Sequence, residues 1–577
     1  MRLVKKVLIL EDPVSVRPSG FDHIFSFSSN SADSFPEDYL STDEAQTLYD
    51  ETYRALCDWL DSAPFRVLFS YRGVDLLRCF RKPLFDFAHF ARLRHETLTR
   101  LMERLGQSEF TLEQQGQDSK YPYLSQILKA VPLEGEGRIL GLKEIKPSAP
   151  IRPSTGESFP WPSKLVTGRI KKAEVVIFSD FEKVKGLLPS IQSHSCVLFS
   201  NVWAPRMIFR SFIHGVTLYQ IAYNSQQRKI YELQAKKFSH LLNENRIFEG
   251  LRLGKLNGEA LLGPKLLELF GTSLGQILFE IDQAHQLFQK AGSVKSVLLD
   301  EDVLPSQSAF CQVARLYKVQ SFVESHGALG HAIGFLPLTA DRILVWGNAQ
   351  KNKLVEWGCP EERILVSGRG RYSEFQKLDP QAMKNKVCKQ FGLDPAKKII
   401  LLAFPPISKR RNLFEHLWRS IIEEALEAVK NVLSSEPAQF IIKLHPGDQN
   451  QDQFEDWVRR NDFQNGGVIT RHYEPLILTK ASDGVVVYMS TFAVDAFAMQ
   501  KPVICLRDET TRSLKEFRRF QIFHYANSRS EIEDALRRIL KSKESGPARW
   551  AEARRECLGE GMGEPNQIIA KYLLNGR

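Results

Sequence analysis

At 577 residues the chain is too long for one ordinary hydrophobic core, so its length predicts two or three domains. With 43% hydrophobic and 25% charged residues it has the composition of a soluble globular protein, and no run of about 18 apolar residues is present to span a membrane. The net charge of +10 leaves nucleic acid, an anionic membrane face or anionic small substrates as partners, and the lack of any RRM, helix-turn-helix or zinc-finger pattern argues against nucleic acid.

The start, MRLVKKVLILEDP, imitates a signal peptide, but its apolar run stops at Leu10 before Glu11 and Asp12. Residues 3–10 are predicted as the first strand of a Rossmann-like domain, and 65–70 (FRVLFS) as a second strand. Residues 88–105 carry apolar positions at helical spacing, with Arg and His on a solvated face. The stretch 146–163 is rich in Pro and Ser and reads as a surface loop or linker. Strands are expected at 173–179 and 195–200. Residues 209–291 read as amphipathic helices, a helical insertion in the first domain. Two roles suit it: acceptor binding or membrane contact on one side, packing against the sheet on the other.

The sheet then resumes. A strand at 295–299 ends in Asp300-Glu301-Asp302, and one at 319–323 ends in Glu324-Ser325-His326-Gly327. A second Rossmann-like domain is expected to open with the strand 342–346, so the predicted division is 1–340, 341–545 and a helical tail 546–577. Within it, 363–367 runs into Gly368-Arg369-Gly370-Arg371-Tyr372, and 398–403 leads to FPPISKRR. Residues 440–444, 485–489 and 503–506 are short, apolar and β-branched without alternation, which suits strands buried on both faces of a parallel sheet. They end in His445-Pro446-Gly447, Ser490-Thr491 and Arg507-Asp508, where ligands of such sheets bind. The eight cysteines show no CxxC and no metal spacing, and read as buried reduced thiols.

Residues 319–506 resemble the C-terminal half of GT-B glycosyltransferases. The likeness is to bacterial capsule and surface-polysaccharide transferases and to wall polyol-phosphate polymerases. It is carried by SHG at 325–327, RILVWGNAQKNKLVEWGCPEERILVSGRGRY at 342–372, KLHP at 443–446 and STFAVDAFAMQKPVICL at 490–506. The first 318 residues match only loosely. The resemblance implies an α/β protein of two Rossmann-like domains facing across a cleft, with a nucleotide-sugar donor on the C-terminal one and neither metal nor cofactor. It further implies a glycan or lipid-linked glycan acceptor, and a cytoplasmic protein at the inner face of the membrane.

A leaving nucleotide gains negative charge as the glycosidic bond breaks, so the donor site needs cations, N–H groups or hydroxyls. His445, restrained by Pro446 and preceded by Lys443, occupies the place that HP-motif transferases use for donor phosphate. Ser490 and Thr491, at what reads as an adjacent strand end, can cap a helix or bind phosphate. Arg369 and Arg371 are further phosphate clamps, and Lys409, Arg410 and Arg411 form either another clamp or a solvated loop. Asp495 stands where many GT-B proteins have a Glu that contacts ribose or sugar, although Asp is shorter. Deprotonating an acceptor hydroxyl needs a base. His326 is the first candidate, because a His before Gly holds this place in polyol-phosphate transferases, although there an aromatic residue precedes it. Glu324 competes, with His331 and Asp12 behind. Asp300-Glu301-Asp302 has the form of a metal-binding DxD but reads as a strand-end turn.

The expected activity is glycosyl transfer from a nucleotide-activated sugar to a surface glycan. The alternatives are CDP-polyol phosphotransfer, sugar-nucleotide 2-epimerisation or a non-catalytic role in glycan assembly. Epimerases carry paired glycines where this chain has Ser490-Thr491-Phe492.

Overall fold

The computed structural model describes residues 5–10, 18–27, 32–62, 64–106, 108–115, 126–127, 138–145, 164–167, 170–191, 195–201, 208–209, 211, 213–405, 415–445, 451–461, 467–488, 490–507, 514–541 and 549–575. The loop 146–163, Asp12, Lys409, Arg410, Arg411 and Pro446 lie outside them.

The expected α/β class holds, with two large Rossmann-like sheets and a smaller one in front. Four parallel strands form the first sheet, in the order His23–Ser26, Lys5–Leu10, Ser108–Gln115, Arg138–Ile145. Successive residues of a strand face opposite sides. Val7 and Ile9 pack with the helices Thr42–Ser62 and Arg81–Leu105, while Leu8 and Leu10 join Ile24 in a small cluster of their own. The first strand therefore belongs to this unit and not to the large Rossmann-like sheet that follows.

The eight-stranded central sheet runs Ile364–Val366, Arg342–Val345, Gln320–Glu324, Ser296–Leu299, Ala173–Phe178, Ser195–Ser200, Thr217–Ile221, Lys164–Thr167. All neighbours are parallel except Lys164–Thr167, which is antiparallel at the edge. The boundary at 340 is thus corrected. Ile343 pairs with Val323 and Ile364, so the strands at 342 and 364 complete the central sheet instead of opening the next. The third sheet has six parallel strands, Gly467–Thr470, Ala438–Lys443, Lys398–Ala403, Gly484–Val487, Val503–Leu506, His524–Ala526.

The run FRVLFS is not a strand. It forms a short 3-10 turn at Pro64–Arg66, exposes Val67 and Leu68, and buries only Phe69. Arg72 and Gly73, at φ 48° and 81°, close a two-residue hairpin between Ser70–Tyr71 and Val74–Asp75, the geometry that a tight hairpin requires.

The expected helical insertion at 209–291 proves to be part of the central unit. It contributes the strand Thr217–Ile221 and the helices Ser225–Glu244, Gly258–Leu269 and Gly275–Ala291. Leu278, Ile281, Ala284 and Leu287 share one core with Val176, Phe178, Val197 and Phe199 on that face of the sheet. The opposite face, with Val175, Ile177, Leu298, Phe322 and Leu344, is covered by Ile569 and Leu573 of the C-terminal helix Pro565–Asn575. Ser296 Oγ donates to the Leu573 carbonyl at 2.6 Å. The chain therefore leaves the central sheet, builds the third, and returns. At one crossing point the backbones nearly touch: a Cβ on Gly347 would lie 2.3 Å from the Glu556 carbonyl oxygen, so only glycine fits. All eight cysteines are free thiols, seven of them buried.

Candidate functional site

The central and third sheets bring their carboxyl ends together, and the two motifs singled out from sequence meet there. Ser325-His326-Gly327 leaves the strand Gln320–Glu324, while Ser490 and Thr491 follow Gly484–Val487. Ala328 N–H donates to Thr491 Oγ1 at 3.4 Å, and a Cβ on Gly327 would sit 3.2 Å from the same oxygen. Behind the loop, Trp346 Nε1 donates to the Ser325 carbonyl and Gln350 Nε2 to the Gly327 carbonyl, both at 3.0 Å. Trp346 is fully buried, so the loop is held from a rigid base.

The His326 ring stacks on Phe335, with centroids 4.5 Å apart and planes at 4°. The residue is nonetheless exposed. Enclosure by the cleft walls and the Lys183 ammonium still lower its pKa to about 4, so the imidazole is neutral at pH 7 and able to accept a proton. Glu324 lies at the strand end before it. Desolvation raises its carboxyl above the usual range, opposed by Arg369. Lys183 pairs with Asp300 at 2.6 Å and influences both groups. Sequence reasoning missed Lys183, although it follows the buried strand Ala173–Phe178 just as His326 follows its own.

Of the expected phosphate clamps, Arg369 and Arg371 are both engaged. Arg369 Nη1 binds Tyr372 OH at 2.7 Å and Asp495 Oδ1 at 3.1 Å, and its guanidinium lies 4.5 Å from the Trp346 ring centroid. Tyr372 OH donates to the same Asp495 oxygen at 2.6 Å. Asp495 therefore ties the end of the central sheet to the helix Phe492–Ala498 of the third unit. Arg371 pairs with Glu474 at 2.6 Å, and Glu474 also caps the helix Pro475–Ala481.

Lys443 is corrected outright as a donor ligand. It is 7% exposed and donates to the carbonyls of Leu444 at 2.7 Å and Arg471 at 2.8 Å, joining two strand ends of its own sheet. Desolvation lowers its pKa. His445 is exposed just past that strand, but Lys398–Ala403 lies between its strand and that of Ser490. The two strand ends are thus not adjacent; two strand spacings put them roughly 10 Å apart. Ser490 Oγ accepts from Phe492 N at 3.2 Å, a local bond two residues on, while the N-cap of the helix Phe492–Ala498 is Thr491, which makes no side-chain cap bond.

Asp302 also has a structural role. It is 2% exposed and accepts from Thr339 and Ala340 N–H at 2.7 and 2.8 Å, while burial pushes its carboxyl up to about 6. With Asp300 held by Lys183, the DxD form is a strand-end turn. Among the described residues no group of three or more His, Cys, Asp or Glu is arranged to hold a metal ion. His331, the weaker base candidate, packs its ring 4.6 Å from Tyr49.

Residues 414–508 match the family of capsule polysaccharide biosynthesis proteins. No curated protein matches the chain in sequence. Among solved structures, UDP-GlcNAc 2-epimerase from Neisseria meningitidis, bound to UDP-GlcNAc, is 13% identical with a TM-score of 0.46, covering 70% of this chain and 99% of its own. A glycosyltransferase from Rickettsia africae is 12% identical with a TM-score of 0.41, over 70% of this chain and 100% of its own. Anabaena HepE in complex with UDP and glucose is 12% identical with a TM-score of 0.42, over 70% and 99%.

Proposed function

We propose that this GT-B-fold chain, related through residues 414–508 to capsule polysaccharide biosynthesis proteins, transfers a sugar from a nucleotide-activated donor to a surface-glycan acceptor. The observation that carries the reading is the meeting of the His326 loop with Ser490 and Thr491 across two sheets that face each other by their carboxyl ends. In this reading the donor lies on the third unit, against His445, Ser490 and Thr491. His326 takes the proton of the acceptor hydroxyl, and Glu324 is the second candidate for that step. The donor phosphates draw on Arg369 and Arg371, whose carboxylate partners keep them in place before a ligand arrives.

The test is a melting-temperature screen of the purified chain against CMP, CDP, UDP and GDP. One nucleotide at about 100 times its dissociation constant is expected to stabilise by about 2.7 kcal/mol, and the matching nucleotide-sugar to be turned over in the presence of glycan. Binding without hydrolysis or transfer would favour the assembly-protein alternative, and conversion of the sugar's configuration the epimerase.

The same reading places the protein against the membrane that carries its acceptor. No helix among the described residues is long and apolar enough to cross a membrane, so contact would be peripheral. The helix Ser225–Glu244 supports this: Ile230 and Leu233 are exposed at 49% and 64%, and Lys229, Lys236 and Lys237 stand exposed around them. Positions 230, 233 and 237 share one helical stripe. Each basic residue near an anionic leaflet contributes roughly 1 kcal/mol. The chain is expected to sediment with anionic liposomes at low salt and to be released at high salt, and Lys236→Glu with Lys237→Glu to weaken this. A wild type that never sediments removes the membrane contact.

A further inference from the structure

Beside the His326 loop lies a second feature, an open cavity of about 590 Å³. This is within the usual range for ligand sites, roughly 300–1,000 Å³. All three units wall it: the helix Thr42–Ser62 of the first, residues 329–332 and the helix Asn348–Glu356 of the central unit, and Arg518 of the third.

The chemistry of the walls is selective. Asp43, Asp50 and Glu356 are matched in number by Arg54, Lys353 and Arg518, so the formal charges of the lining sum to zero. What it offers is donors and acceptors of both signs, among them the Lys353–Glu356 pair at 2.7 Å, together with the aromatic surface of Tyr53 and of Trp357, whose ring centroid lies 5.4 Å from Lys353 Nζ. Carboxylates and cationic N–H groups hydrogen-bond vicinal hydroxyls, and aromatic rings pack on the C–H face of a pyranose. Those are the needs of an uncharged polyhydroxylated chain.

The cavity is also coupled to the site. One wall is formed by His331, five residues after His326 in the same loop. That loop is pinned by Ile333 N–H, which donates to Tyr49 OH at 3.0 Å, and by Phe335 under the His326 ring. A Cβ on Gly334 would lie 3.9 Å from His326 Cε1, so the segment turns back on the histidine after lining the cavity.

We infer that this cavity holds an uncharged oligosaccharide segment of the acceptor, and that the N-terminal four-stranded unit serves as a glycan-holding module. The inference rests on the transfer reading above. The test uses the full chain with cellotriose, maltotriose and triacetylchitotriose as probes, followed by saturation-transfer NMR. At least one trisaccharide is expected to bind saturably, and Asp50→Ala with Arg54→Ala, both on an exposed helix face, to weaken it by about tenfold or more. Trp357→Ala is the second variant, expected to act in the same direction. Absence of saturable binding by wild type, unchanged binding by the double variant, or occupation by inorganic pyrophosphate in preference to sugar would overturn the assignment. The UDP melting shift is recorded in parallel. Its absence from wild type would count against the donor reading while leaving the trisaccharide result to judge the cavity.

Discussion

Replacing His326 with alanine is expected to lower kcat roughly 10²–10⁴-fold, the range lost when a general base is removed. Nucleotide binding should persist, because the ring sits on the central unit and the proposed donor site on the third. The pH profile carries the sharper information. In the proposed reaction His326 works unprotonated, and its pKa is lowered to about 4 by enclosure and Lys183. The rate should therefore rise with pH through that region and be flat around neutrality. Lys183→Ala removes a nearby positive charge, so the acid limb should move to higher pH, whereas a purely structural lysine would leave it in place. If His326→Ala retains full kcat while Glu324→Gln abolishes it, the base is Glu324, whose raised carboxyl would set the acid limb instead.

A second large effect is expected at Asp495. One carboxylate oxygen accepts from both Arg369 and Tyr372, and both partners of the ion pair are largely buried, with 14% and 16% side-chain exposure. Asp495→Ala leaves the guanidinium between Trp346 and Tyr372 without its anchor. Breaking such a pair from one side costs about 3–5 kcal/mol, because a buried charge stays behind. A calorimetric melting temperature should fall by several degrees. Replacing both partners by apolar residues, Arg369→Met with Asp495→Leu, should recover much of the loss. A single variant that melts with wild type would mean that the contact between the two units does not depend on this pair.

Much of this was legible in the sequence, and the pattern of what was not is instructive. Short apolar runs located most strands of both large sheets, though not Lys164–Thr167, Thr217–Ile221, Gly467–Thr470 or His524–Ala526, and the polar residues after them located the candidate site. The order of strands was not legible. Arg342–Val345 looks the same whether it begins a sheet or ends one, since its partners Phe322 to Glu324 and Ile343's neighbour Ile364 carry no distinguishing label. Lys443 was misread because proximity to His445 suggested a shared ligand, whereas a strand end buried among carbonyls needs its own donor. The pairing of Arg369 with Asp495 spans 126 positions and leaves no local trace. Lys183 was findable by the strand-end logic that found His326. FRVLFS failed because an apolar run is a strand only where a neighbouring strand accepts it, and here the hairpin of Arg72 and Gly73 takes the chain away.

The return of the helix Pro565–Asn575 to the central sheet has a consequence for biosynthesis. On the ribosome, the strands carrying Val175, Leu298, Phe322 and Leu344 emerge well before Ile569 and Leu573, which cover them. At roughly 5–20 residues per second, that apolar face stays bare for about ten seconds or more while the third unit is translated. Chaperone engagement would fall in this interval. An expression fragment ending before residue 565 would carry the bare face permanently, so a soluble version of the central unit has to supply the helix as a separate peptide or fuse it after the strand Ile364–Val366.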